Sequence, residues 1–387
     1  MTITLNNLPD DLLIDAIAFL SVPDILFLCQ ACTRFNTFKL NILSNDYPCP
    51  INDTDHKQRT CHAYRLATRW LADYPMIPTS IIKFTASPAS DIKFIPGWQH
   101  KWILIVSEGI RTVLTIWDVA RAHKCSEWLP KGGKLFTKII LNEDPESEVS
   151  IVVALYGSER ILFLHLDDDG ALHKVHDIDV GFHPVSMTGD VIAFSDDISK
   201  ALIYNWKTEE QAYLDDGGDM QDNDCNHIIF APTSIDCCHP HQLSQYLFDW
   251  HDHTSATPTS LLTLSESYRL WTLETNLFQL YSLASVPPML LSRGLSRHCV
   301  LSYVDMVLGK RGTAVWISPE ECATAEYRGC KTLIAAIFPG PLNAMAEVRI
   351  HELCSNTPNN WDALDYDEEL GRIALGSCLG EVTIVQL

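Results

Sequence analysis

One short stretch of the chain carries the side chains of a zinc site: Asp236, Cys237, Cys238, His239 and His241, with His251 and His253 close behind. Thiolate and imidazole are the usual ligands of tetrahedral zinc. Adjacent cysteines and a His-Pro-His do not form the paired knuckles of a structural site, however, and the chain's 15 histidines are scattered. We read an unliganded loop and assign no metal ligand. Asp167-Asp168-Asp169-Gly170 has the carboxylates of a calcium loop without its spaced oxygen ligands or closing Glu, so it reads as a β-turn. Gly132-Gly133 and Gly217-Gly218 lack the Lys-Ser/Thr of a phosphate loop. No Gly-x-Ser-x-Gly or Cys–His nucleophile arrangement stands out. Trp117, Trp271 and Trp316 read as core aromatics rather than a stacking platform. The sequence therefore names no catalytic residue and no cofactor.

With no reaction centre to place, the elements carry the functional argument. From Ile77 onward, short runs of β-branched and aromatic residues alternate with Gly, Pro, Asn and Asp clusters, the pattern of strands and turns. Seven runs share a shape, at residues 111–119, 160–166, 200–206, 268–273, 312–317, 347–353 and 381–387. Most follow another strand candidate, at 102–106, 149–156, 191–195, 260–264, 300–306 and 372–377. Positions 117, 165, 206, 272, 316, 351 and 385 serve as rough equivalents, recurring at about forty residues. The wide gap between 206 and 272 calls for an insertion within 215–259, where Asp-Asp-Gly-Gly-Asp and Thr-Ser-Ala-Thr-Pro-Thr-Ser are loop chemistry.

This repeat resembles WD-repeat β-propellers, whose blades are four-stranded antiparallel sheets around a channel. Trp117-Asp118 is the only complete Trp-Asp pair at the end of such a strand. Phe94-Ile95-Pro96-Gly97 before Trp102-Ile103-Leu104 is similar to a first blade, and residues 364–385 to a closing one. The Gly-His that usually opens each blade is missing, and the Trp-Asp is lost from most repeats. Seven blades are favoured and six are possible. Residues 80–84 stand where an N-terminal strand would complete the last blade.

Ahead of the strands the period is helical. Pro9 suits a first helical turn, and Asp10 and Asp11 favour its positive end. Leu12, Leu13, Ala16, Ile17 and Leu20 form one apolar stripe. Ser21 is a natural N-cap for a second helix, with Pro23 in its first turn and Ile25, Leu28, Cys29 and Cys32 along its stripe. Residues 56–74 read as a further helix, with Cys61, Tyr64, Ala67 and Leu71 at helical spacing and neighbouring Ala63 and Trp70, ended by Pro75.

Leu8-Pro9-Asp10-Asp11-Leu12-Leu13, Phe19-Leu20, Asp24-Ile25 and Cys32-Thr33-Arg34-Phe35 together resemble the F-box, a module that docks substrate receptors onto a Skp-type adaptor. Asp11 replaces the family's usual Glu, Ser21 its common Pro, and Arg34 falls one residue late. The resemblance implies an adaptor-binding face of Leu8, Pro9, Leu12, Leu13, Ile17, Leu20, Pro23, Ile25 and Leu28. It implies a domain order of F-box at 1–45, linker and helix at 46–76, and propeller at 77–387. The fold class is then a small all-α hairpin plus linking helix, followed by an all-β propeller. The implied function is a non-catalytic substrate-recognition subunit of an SCF-type cullin–RING ubiquitin ligase. The alternative is a propeller interaction scaffold outside ubiquitination.

Composition agrees with a folded core: 47% of the 387 residues are hydrophobic, with ten Trp and fourteen Phe. The first residues lack the basic stretch and apolar run of a secretion signal. Thirteen cysteines at irregular spacing then read as reduced thiols of a cytoplasmic or nuclear protein. The net charge of −21 lies almost wholly beyond residue 80 and disfavours phosphate backbones and anionic membranes as partners. Arg111, Arg160, Arg269, Arg293, Arg297, Arg311, Arg328, Arg349 and Arg372 could read a phosphorylated target if gathered on one face. A basic or neutral target segment fits the charge at least as well.

Overall fold

The structure is a computed structural model. It describes residues 62, 65–72, 74–97, 101–107, 112–130, 132, 134–196, 200–215, 227–231, 234–238, 243–247, 260–267, 275–282, 289–296, 306–309, 313–319, 331–338, 348–356 and 360–387. The chain divides into two compact units, Met1–Arg69 and Trp70–Leu387. In the first, residues 62 and 65–69 are helical. The sequence-predicted hairpin and all nine adaptor-face residues lie outside the described residues.

The second unit is built of strands. Strand β1 (Ser80–Thr85) precedes a four-stranded antiparallel sheet of β2 (Asp91–Phe94), β3 (Trp102–Ser107), β4 (Val113–Asp118) and β5 (His123–Trp128). Next come β6 (Phe136–Leu141), β7 (Ile151–Leu155), β8 (Arg160–Leu166) and β9 (Leu172–Asp179), then β10 (His183–Thr188), β11 (Val191–Ser195), β12 (Lys200–Asn205) and β13 (Gln211–Asp215). Two three-stranded sheets follow, β14 (His227–Ala231), β15 (Ser234–Cys238), β16 (Leu243–Leu247), and β17 (Ser260–Ser267), β18 (Thr275–Ser282), β19 (Met289–Ser296). Another sheet of four holds β20 (Met306–Leu308), β21 (Thr313–Pro319), β22 (Lys331–Ile337) and β23 (Arg349–Asn356). The last contains β24 (Trp361–Asp367), β25 (Arg372–Ser377) and β26 (Glu381–Gln386), with β1 as its outer strand.

That final pairing is the closure expected of residues 80–84. Strand β1 runs antiparallel to β26 from Ser80↔Gln386 to Thr85↔Glu381. Lys83 adds an ion pair to Glu381 at 2.8 Å. Sheets of four strands in chain order, the last completed by the first strand, make a propeller-like arrangement.

The packing explains why the inner strands read as unbroken apolar runs. Every second residue of β3 (Trp102, Leu104, Val106) packs toward β7 and β8, whereas Ile103 and Ile105 pack toward β25 and β26. The same division holds in β7, with Ile151, Val153 and Leu155 on one side and Val152 and Ala154 on the other. Sheets stacked on both faces bury both parities of a strand, so alternation disappears. Burial of this kind stabilises by about 25 cal/mol per Å² of apolar surface removed from water.

Three expectations need correction. The gap between 206 and 272 is not a loop insertion: β14, β15 and β16 form a sheet there. Positions 316 and 351 are not equivalents in successive units either. Trp316 is in β21 and His351 in β23 of one sheet, separated by β22, which the repeat reading passed over. The predicted strand at 268–273 lies outside the described residues. The linking helix also stops earlier than Pro75 implied. Helical conformation ends at Trp70, whose carbonyl accepts from His351 Nε2 at 3.2 Å, while Arg349 donates to the Leu71 carbonyl. Trp70 is fully buried and meets the His351 ring edge-on, 6.2 Å between centroids.

Candidate functional site

Because strands alternate in direction, every connection lies at one of two ends of the sheets. Polar contacts between neighbouring sheets fix their common sense. Asn142, just before the β6–β7 connection proper, bonds Gly189 of the β10–β11 turn from both its amide atoms, at 2.9 Å each. Gly97 of the β2–β3 connection approaches Pro145 of β6–β7 so closely that a Cβ there would lie 2.3 Å away. Its φ of +90° is also one that only glycine adopts without strain. Thr313, beside the β20–β21 turn, reaches the Tyr366 hydroxyl at 3.1 Å.

At this end three turns are opened by Asp or Asn. Asp118 Oδ1 accepts from the Arg121 amide at 3.0 Å, and Ala122 takes φ 49° to start β5. Asp167 Oδ1 accepts from Asp169 at 3.0 Å and Ala171 at 2.7 Å, and Gly170 turns the chain at φ 84°. Asn205 receives Lys207 and Thr208 at 3.0 and 3.1 Å, with Glu209 at φ 61°. Short oxygen-bearing side chains that mimic a backbone turn account for this recurrence. The Asp167-Asp168-Asp169-Gly170 run is thus the β-turn that the sequence predicted. Two amides and His173, 2.8 Å away, hold the Asp167 carboxyl below its ordinary range.

Beyond these turn-formers the same end carries Glu143, Glu146, Glu148, Asp168, Asp169 and Glu210, all exposed, against Arg121, Lys207 and the half-buried Lys101. The opposite end differs. Its connections at 86–90, 180–182 and 378–380 hold no charged residue, and among the described residues of the other connections there only Lys134, Glu159 and Asp196 are charged. Four large apolar side chains are exposed there: Leu129 at 38%, Leu135 at 41%, Tyr156 at 66% and Leu379 at 73%. The sequence reading found the acidity but not this division, which needs strand direction to become visible.

Between the ends, Asp365 of β24 accepts from the Phe94 amide of β2. Protein surrounds the carboxylate although the residue keeps partial exposure. Burial pushes its pKa up to about 6, against the opposing pull of Lys93 and of the Phe94 and Tyr366 amides. Lys93 also pairs with Asp91 at 3.5 Å.

The arginines considered for phosphate recognition are engaged at separate places. Arg160 pairs with Asp177, Arg349 holds the Leu71 carbonyl, and Arg372 bonds Gln386 at 3.0 Å. Arg293 is in β19; Arg111, Arg269, Arg297, Arg311 and Arg328 lie outside the described residues. Of the rejected zinc set, Asp236, Cys237 and Cys238 fall in β15 and the four histidines lie outside. Among the described residues no group of three or more His, Cys, Asp or Glu is placed to hold a metal ion, and no helix is long and apolar enough to cross a membrane.

No family model and no curated protein sequence matches the chain. Among solved structures, a chain of a mitotic checkpoint complex superimposes with a TM-score of 0.49 at 6% identity, covering 82% of this chain and 94% of that one.

Proposed function

We propose that this chain is a non-catalytic protein-interaction subunit: a substrate receptor whose N-terminal hairpin docks on the Skp-type adaptor of a cullin–RING ubiquitin ligase. Residues 1–45 form the F-box, 46–76 the link, and 77–387 a seven-bladed WD-repeat propeller that holds the target protein. Other subunits do the chemistry, and this one supplies proximity by raising the local concentration of target lysines. The adaptor reading is carried by the order and spacing of Leu8, Pro9, Leu12, Leu13, Phe19, Leu20, Ile25, Cys32 and Phe35. The receptor reading is supported by the β unit, whose two ends present loop surfaces on a rigid frame. The protein works in the cytoplasm or nucleus, without a cofactor, and does not bind nucleic acid or membrane.

The departures at Asp11, Ser21 and Arg34 favour one second reading, an interaction scaffold outside ubiquitination. Co-purification of the adaptor separates the two. Wild-type chain captures the adaptor, and Leu8→Ala with Pro9→Ala abolishes capture while the β unit stays folded. Undiminished capture by the double variant would remove the F-box assignment.

A further inference from the structure

We infer that the end of the β unit opposite the carboxylates is the docking surface for the target. Its centre is a platform of Leu129, Leu135 and Tyr156 around Lys134, and the occupant is an extended apolar segment flanked by carboxylates. The inference rests on the receptor reading and says which surface is used and for what chemistry.

The platform is one contiguous feature. Strand β5 ends at Trp128 and β6 begins at Phe136, so Leu129 and Leu135 bracket a single connection. The Tyr156 amide, just past β7, donates to the Leu135 carbonyl at 2.8 Å and places the tyrosine beside it. Beneath, the Trp128 and Phe136 rings stack with 6.1 Å between centroids, and Pro130 is buried. The exposed side chains thus stand on a rigid base and need little ordering on binding, which lowers the entropic cost of association. Aromatic and aliphatic anchors fixed in this way have the character of interface hot spots.

Charge selects the occupant. In a chain of net charge −21 an acidic segment is repelled over most of the surface, and among the described residues most strongly at the carboxylate end. The connection from Leu129 to Leu135 is an exception. It carries Lys134, exposed between the two leucines, and Lys131 in sequence, with no acid between them. Apolar side chains of the target cover Leu129, Leu135 and Tyr156, while its carboxylates meet the lysine side of the connection. A basic segment would be drawn to the other end instead.

The test uses the full chain and a displayed library of random twelve-residue peptides. Peptides selected on wild type are counted again on Leu135→Asp with Tyr156→Asp and on Lys134→Glu, each checked for an unchanged melting transition. Recovered peptides should have an apolar centre with flanking Asp or Glu. They should lose about tenfold or more in affinity for the double variant and about threefold for Lys134→Glu. Since the substituted side chains are exposed, folding is preserved; Leu135→Ser with Tyr156→Ser, which adds no charge, should lose the same peptides. Peptides rich in Lys or Arg, peptides that bind all variants equally, or no enrichment at all would overturn the inference. Adaptor capture is measured on the same variants. If capture is absent from wild type while the peptides still discriminate, the ligase reading fails and the docking surface stands.

Discussion

At the scale of single residues, two buried polar groups join neighbouring sheets and have opposite energetic signs. Asn142 is satisfied on every side: Nδ2 donates to the Val149 and Gly189 carbonyls, and Oδ1 accepts from the Asp144 and Gly189 amides. Asn142→Ala strands several of those backbone groups away from water and should cost roughly 2–4 kcal/mol, read by urea denaturation. Asp365 is the converse case. Its folded pKa of about 6 stands above the unfolded value near 3.8. Its contribution is therefore fully present below the unfolded pKa and is lost as pH rises through about 4 to 6. Asp365→Asn keeps an acceptor for the Phe94 amide and removes the charge. It should flatten that part of the pH–stability curve and gain about 1–2 kcal/mol at pH 7, allowing for partial exposure. A variant less stable than wild type at pH 7 would show that the pull of Lys93 and the amides outweighs burial.

Elements differ in how openly the sequence announces them. Strands β8, β11 and β25 lie where the residue pattern put them, and β1 closes the last sheet as its position implied. All are bounded by turn residues and rich in β-branched or bulky apolar side chains. Strand β22 escapes a pattern reading because Leu333-Ile334-Ala335-Ala336-Ile337, buried throughout, shows no alternation and no Trp at its end. The sheet of β14 to β16 reads as loop in sequence because its strands are short and set among Asp, Asn and Gly. Neither apolar nor acidic end could be read from one dimension, since each gathers connections far apart in sequence. The start of the β unit was also hidden: Trp70 and Met76, both at 1% exposure, lie before the first strand. Truncation before residue 70 should therefore leave a cooperatively folding domain. Removal of residues 1–76 should cost several kcal/mol through the lost Trp70 and Met76. Removal through Thr85 should leave β26 with an open edge and cause aggregation. Thermal melting and light scattering of the three truncations distinguish these outcomes, and equal behaviour would place both anchor and closure elsewhere.

For the molecule as a whole, the consequence is polarity. Among the described residues, one end of the β unit repels acidic partners and the other presents exposed apolar side chains with fewer charges. Salt should act differently at the two. Basic peptides drawn to the carboxylate end should associate more slowly as ionic strength rises and the screening length falls toward about 8 Å. Segments docked on Leu129, Leu135 and Tyr156 should keep most of their affinity. Stopped-flow association of a Lys-rich and an acidic-apolar peptide at low and high salt measures this, and the same salt slope for both would deny the division. Phosphate added to a target segment should not strengthen binding through Arg160, Arg349 or Arg372, which are engaged at separate places.

The pairing of β1 with β26 also sets a schedule for biosynthesis. Thr79 bonds Gln386 across a separation of 307 residues, so β1 is made long before the strand it pairs with. At roughly 5–20 residues per second, β1 waits about 15–60 s for its neighbour. Its Ile81 and Ile82, exposed even in the finished sheet, stay in water with an unpaired backbone throughout. Sheets between can assemble in order, but the nascent domain is a stack with two loose edges until β26 is made. Folding yield should therefore depend on chaperone supply during translation more than the stability of the completed domain implies.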